Sequence, residues 1–276
     1  MTLLIVSGFR ELEMSIQKIG LAAVAGFALA FTGINAAADS SDPVYRLSTG
    51  IDYTSGDYGG TVDIEDVYIP LTGIVDYGRF GFRLTVPYLS VTAPAGTIIT
   101  GPGGQPVPGT GALTTESGLG DIIGSVTLYD VVYNRELGIA LDITGKIKFA
   151  TADEAKGLGT GEHDYSVQAD LYKYLGEFTL LGTAGYKVRG DPAGVDLENV
   201  LFGSIGGIYN FSTDTRGGLI FDYRESTISA NDSIREITGF VSRPINNDWR
   251  LVAYALTGFS DSSPDFGGGV LVKRTF

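Results

Sequence analysis

His163 is the one imidazole in the 276-residue chain, and there is no cysteine. A Ser-His-Asp or Asn-His-Ser hydrolytic site would have to be built around that single base, with a nucleophile beside it. His163 follows Gly161-Glu162 at the end of an acidic loop with no distinctive serine motif nearby, so it reads as a solvated loop residue. Thiolate metal sites and disulfides are excluded outright. Two carboxylate groups, Asp57, Asp63, Glu65 and Asp66, then Asp153, Glu154, Glu162 and Asp164, offer oxygen ligands of the kind hard cations prefer. Their spacing matches no known calcium loop, and ordinary solvated charge at a rim is the expectation. Gly56-Asp57-Tyr58-Gly59-Gly60 and Gly101 to Gly104 lack the strand-to-helix context of a phosphate loop and read as turns. We therefore expect no catalytic residue, no metal and no cofactor.

The other charged residues fall into a pattern. Lys146, Lys148, Lys187, Arg189 and Arg224, with Asp142, Asp170, Asp222 and Glu236, sit at alternate positions of segments whose intervening residues are apolar. In Leu137 to Ala150, the residues Leu137, Ile139, Leu141, Ile143, Ile147 and Phe149 alternate with Gly138, Ala140, Asp142, Thr144, Lys146 and Lys148. Period two places one set on each face of a strand. Phe80, Phe82, Leu84, Val86 and Tyr88 repeat the rule, as do Phe178, Leu180, Ala184, Tyr186 and Val188. One face is lipid-like and the other is wet.

These segments run to about ten residues, the length of a tilted membrane-spanning strand, whereas soluble strands cluster near five or six. Connections alternate in length. Short ones lie at Asp76 to Arg79, Tyr133 to Glu136, Tyr174 to Glu177, Ser212 to Thr215 and Asn246 to Asp248; long ones lie at Asp57 to Asp63, Ala93 to Ser117, Thr151 to His163, Asp191 to Glu198, Ser226 to Ser233 and Phe259 to Phe266. That asymmetry matches the short periplasmic turns and long extracellular loops of outer-membrane barrels. About twelve strands result, all-β and antiparallel. They must close, because an open edge would leave unpaired backbone groups in hydrocarbon.

Composition agrees. Gly 40 is about twice the usual ~7% share, Tyr 15 and Phe 14 are plentiful, and charged residues make up 18%. A net charge of −13 provides no basic face for nucleic acid. Mean hydropathy is +0.15. Beyond the first forty residues no apolar run approaches the ~18 residues of a membrane helix.

From Met14 the chain has the anatomy of a signal peptide: Lys18, an apolar stretch from Ile19 to about Phe31, then Ala36-Ala37-Ala38 before Asp39. The preceding residues carry Arg10, Glu11 and Glu13, and acidic residues are unusual there, so translation is expected to begin at Met14. Residues 1–38 are read as targeting and 39–276 as one barrel in the outer membrane.

Three further features concern the wall. Pro70 and Pro87 lie on consecutive strands, where a tight turn near Tyr77-Gly78-Arg79 would set them opposite each other; neither can donate to a ladder, which makes them candidates for a lateral seam. The chain ends on Phe276, which shares a face with Val270 and Val272 and resembles the terminal aromatic signal read by the barrel assembly machinery. Arg274 stands where that signal has a Tyr.

Gly118-Leu119-Gly120-Asp121 opening a strand, Pro87-Tyr88 in an earlier one, and Gly258-Phe259-Ser260-Asp261-Ser262-Ser263-Pro264-Asp265-Phe266-Gly267 near the end give the chain a family likeness. In their order and spacing it resembles the outer-membrane proteins grouped as transporters of the MetA pathway of phenol degradation. The resemblance implies a barrel that passes hydrophobic or aromatic small molecules, and it supplies no catalytic residues. If the mature N-terminus is periplasmic, the five basic residues fall in the outer half of the lumen with the four acidic ones facing them. Charged rings set pore selectivity; alternatively, the opposite charges pair and brace a filled lumen. The expected function is a channel or transporter in contact with outer-membrane lipid, with a filled structural barrel as the alternative and a lipase built on His163 a distant third.

Overall fold

The computed structural model describes residues 42–276 except Gly103 and Ala230. The signal segment and the cleavage point near Asp39 lie outside the described residues. Among the described residues there are thirteen strands: β1 (Val44–Gly56), β2 (Ile64–Tyr77), β3 (Phe80–Pro94), β4 (Leu113–Leu119), β5 (Ile123–Asn134), β6 (Ile139–Lys148), β7 (Asp164–Leu175), β8 (Phe178–Val188), β9 (Val200–Asn210), β10 (Arg216–Arg224), β11 (Ile234–Pro244), β12 (Trp249–Gly258) and β13 (Phe266–Thr275). All pairings are antiparallel. Pairing of β1 with β13 closes the sheet, so the barrel presents no free edge to hydrocarbon.

Thirteen elements fill twelve barrel positions. The long β3 pairs with β5 along Phe80 to Thr85 and with β4 along Tyr88 to Pro94, so β4 and β5 are one wall strand interrupted at Gly120-Asp121-Ile122. The expected long loop from Ala93 to Ser117 is therefore shorter. Ala93 and Pro94 finish β3, and Leu113 to Ser117 begin β4. Thr92 and Thr115 hydroxyls bond at 2.9 Å in this extension, a cross-strand pair that favours pairing over loop.

The burial pattern is inverted relative to a water-soluble protein. Leu219 and Ile205 are 65% and 68% exposed, while Asp142 and Asp222 are 5% and 7% exposed. Apolar side chains cover the outer wall and polar ones the interior, which is the arrangement hydrocarbon selects. The strands the period-two reading picked out have the expected faces: Tyr88, Leu180, Tyr186 and Val188 point out, and Thr85, Asp142, Thr144 and Lys148 point in. Among the described residues no helix is long and apolar enough to cross a membrane.

The two-residue connections β2–β3 and β7–β8 place Gly78 and Gly176 at φ 56° and 67°. A side chain there would be strained, and glycine lets the right-twisted strands reverse tightly. At the same end of the barrel, the Arg274 guanidinium lies over the rings of Trp249 at 5.6 Å and Phe276 at 4.6 Å. Arg274 thus joins the aromatic girdle through cation–π contact instead of interrupting it.

Candidate channel lumen

Parity along the strands decides what lines the lumen. Asp142, Lys146 and Lys148 of β6, Asp170 of β7, Lys187 of β8, Asp222 and Arg224 of β10 and Glu236 of β11 all share the inward face. Arg189, one residue past the end of β8, is buried on the same side. The register then sorts these residues into rows.

One row is acidic. Asp142 pairs with Asp170, Asp170 with Thr183, Thr183 with Ser204, Ser204 with Asp222, and Asp222 with Glu236. Its members are satisfied in different ways. Asp142 Oδ1 accepts the Asp130 N–H at 2.8 Å, and Asp170 accepts from Gln168 Nε2 at 2.8 and 3.0 Å and from the Thr183 hydroxyl at 2.7 Å. Glu236 faces Arg224 at 3.6 Å.

A second row, displaced toward the long loops on β6 to β8, is basic. Arg83 pairs with Ser125, Ser125 with Lys146, Lys146 with Ser166, and Ser166 with Lys187. The cations stand on alternate wall strands with serines between them. Among the described residues none of the three makes an ion pair. Lys148 behaves differently: its ammonium reaches Asp121 at 3.0 Å, Asp164 at 3.6 Å and the Thr160 hydroxyl at 2.8 Å. It braces the strand break, where Asp121 Oδ1 also accepts the N–H groups of Thr151 and Ala152. Of the basic candidates, then, Lys148 and Arg224 are paired structurally, while Lys146 and Lys187 are not. Arg83 was missed in sequence; its place between Phe82 and Leu84, with the same parity as Thr85, was the available signal.

The loop between β3 and β4 folds over the mouth. Ile99 N–H donates to Gly157 O at 2.8 Å, the Ser226 hydroxyl donates to Gln105 Oε1 at 2.9 Å, and Arg189 Nη1 donates to Thr100 O at 3.3 Å. Thr100 and Gln105 are almost fully buried as a result. Beneath this plug lies a cavity of about 70 Å³ bordered by Tyr58, Asp66, Tyr68, Ile99, Glu236 and Leu256. Burial there pushes the Tyr58 phenol well up from its ordinary range.

The lumen also holds an apolar cluster, a feature the alternation did not reveal. Ile208, Ile220, Phe240, Val252, Leu256 and Leu271 point inward from β9 to β13 and pack together with Tyr254. On these strands the apolar cluster shares the inward face with polar residues, among them Asp222 and Arg224 of β10 and Glu236 and Thr238 of β11.

The remaining candidates fall elsewhere. His163 is exposed; its Nδ1 accepts the Ala150 N–H at 3.2 Å and its ring meets Phe149 edge-on, and among the described residues no serine hydroxyl bonds to it. Asp66 and Asp164 do lie at the long-loop ends of β2 and β7, but strand parity turns both into the lumen and away from open solvent. Among the described residues no group of three or more His, Asp or Glu side chains is placed to hold a metal. Pro70 and Pro87 are direct cross-strand partners, both buried, and Pro87 O accepts the Gly120 N–H at 2.9 Å beside the break between β4 and β5.

No family model matches the chain, and no curated protein matches it. Among solved structures, it is similar to the COG4313 outer membrane channel from Pseudomonas putida F1, with a TM-score of 0.69 and 13% identity over 88% of this chain and 99% of that one. The translocator domain of the autotransporter NalP from Neisseria meningitidis follows at a TM-score of 0.47 and 12% identity, covering 87% of this chain and 91% of that one. The fold is that of a closed, twelve-stranded outer-membrane β-barrel.

Proposed function

We propose that this barrel is an outer-membrane channel for passive passage of small molecules with hydrophobic or aromatic bodies, and that it performs no catalysis. The observation that carries the reading is the mixed lumen: an inward apolar cluster contributed by β9 to β13 shares the interior with charged side chains, Asp142 and Lys146 of β6 and Asp222, Arg224 and Glu236 of β10 and β11 among them, which suits solutes that are neither fully polar nor fully apolar. The shared fold with an outer membrane channel and the resemblance to MetA-pathway transporters support it. Residues 1–38 serve export, Phe276 engages the assembly machinery, and the ends joined by short turns face the periplasm. Reconstitution into planar bilayers tests the proposal. Stepwise conductance is expected; persistent silence from folded protein would overturn it.

The filled structural barrel remains the second reading, favoured by the plug and by the ion pairs of Lys148 and Arg224. We further propose that the Pro70–Pro87 step is a lateral seam. Two paired residues without N–H groups lie next to an interrupted wall strand, so few ladder hydrogen bonds hold the wall at that level.

A further inference from the structure

Arg83 lies near the start of β3, Lys146 in the second half of β6 and Lys187 at the penultimate residue of β8. Because all three strands run the same way, the row climbs obliquely from the end with short turns to the end with long loops. Neighbouring strands are ~4.8 Å apart, so cations on alternate strands are spaced by about 10 Å along the row. Each step is short enough for an anion to be handed between two long, flexible side chains.

The upper end of the row has donors to spare. Arg189 continues the inward face of Lys187 and is 6% exposed; its Nη1 is held by Thr100 O, but its Nε and Nη2 have no hydrogen-bond partner. Gln105 Nε2, fully buried in the plug one hydrogen bond away through Thr100, likewise has none. Unpaired buried donors beside a cation form a site for an acceptor, and a carboxylate satisfies two of them at once. The nearby acids do not hydrogen-bond these donors: Asp164 accepts the Gly190 N–H at 3.3 Å and lies 3.6 Å from the Lys148 ammonium, and both oxygens of Asp170 are already bonded.

Half-way round the barrel from Arg83 is β10, whose Ile220 belongs to the apolar cluster; half-way round from Lys146 is β12, with Tyr254 and Leu256. Between Arg83 and Lys146, a solute whose anionic group follows the row therefore has the apolar cluster across the lumen for its body, whereas half-way round from Lys187 is β1, with Ser48 and Asp52. We propose that Arg189, Lys187, Lys146 and Arg83 form a descending track for the carboxylate of small amphipathic acids, monoanions with an aromatic or aliphatic body. This deepens the channel reading and rests on it. The overall charge of −13 does not oppose it, since the field in a narrow lumen is set by the charges that line it.

The test is flux into proteoliposomes of full-length mature protein, using benzoate, its neutral analogue benzamide and acetate. Benzoate is expected to enter at least ten-fold faster than benzamide and faster than acetate. The triple variant Arg83→Gln, Lys146→Gln and Lys187→Gln should lose that preference while benzamide flux is unchanged. Arg135→Gln, on an exposed turn, should change nothing. The single variant Lys146→Gln should lower benzoate flux several-fold, which preserves the test if the triple variant does not fold. Equal entry of benzoate and benzamide, or equal loss of both in a folded variant, would overturn the track. Acetate entering as fast as benzoate would overturn the role of the apolar wall. Absence of flux for every solute would overturn the channel reading itself, along with the track.

Discussion

The Tyr254 hydroxyl donates a hydrogen bond to the Asp52 carboxylate across Gly269, which is the direct cross-strand partner of both. A Cβ at Gly269 would overlap both polar groups, so the bridge between β12 and β1 exists only because β13 carries no side chain between them. It ties the closing seam of the barrel at a point where the apolar cluster meets the charged wall. Tyr254→Phe leaves a buried carboxylate without this donor and should destabilise the barrel by about 1–3 kcal/mol. Gly269→Ala should be at least as damaging, whereas Gly73→Ala, where a new Cβ meets nothing within 4 Å, should be neutral. Urea unfolding in lipid vesicles checks the order, and equal stability of the two glycine variants would contradict it.

The faces of β3 and β6 can be tested by charge. Leu84→Arg and Leu141→Arg each place a guanidinium against lipid and should cost about 2–4 kcal/mol if mid-membrane, with visible loss of assembled protein. Thr144→Arg, on the inward face between Asp142 and Lys146, should assemble far better. The measure is the folded fraction recovered in the membrane.

The inward-folded loop should limit conductance. Removing the Ser226 to Gln105 bond with Gln105→Ala and Ser226→Ala, or deleting residues 97–108, should raise single-channel conductance, with the larger gain from the deletion. An unchanged conductance would mean that the narrowest point lies deeper, at the apolar cluster.

Ion preference offers another readout. Lys146→Glu with Lys187→Glu reverses the sign of two unpaired luminal charges and should move the reversal potential in a salt gradient toward cation preference. The same reversal at Lys148 should instead impair folding, since it sets like charges beside Asp121 and Asp164.

For the lateral seam, Pro70→Val with Pro87→Val restores two ladder donors and raises β propensity. Uptake of apolar solutes should fall while ion conductance persists. Unchanged apolar uptake in a folded barrel would make the proline pair a device for wall curvature alone.

Much of this molecule was legible without coordinates because strand geometry is local. Alternation alone assigned Leu141 to lipid and Lys146 to the lumen, and the turn residues at Gly78 and Gly176 marked the reversals. The nine charged lumen candidates followed from the same parity. Tertiary structure decided what local periodicity does not carry: which residues become neighbours across strands. Arg83, Lys146 and Lys187 are far apart in sequence and form a row only through the register in which β3, β5, β6, β7 and β8 pair. The course of the loop from Ala95 to Ala112 likewise depends on hydrogen bonds to Gly157, Arg189 and Ser226 on distant connections. The extra strand β4 was hidden because Thr114, Thr115 and Glu116 resemble loop until Thr92 pairs beside them. The apolar cluster escaped notice because Ile208, Ile220 and Phe240 stand singly among polar or small residues on their inward faces, and only packing across strands brings them together.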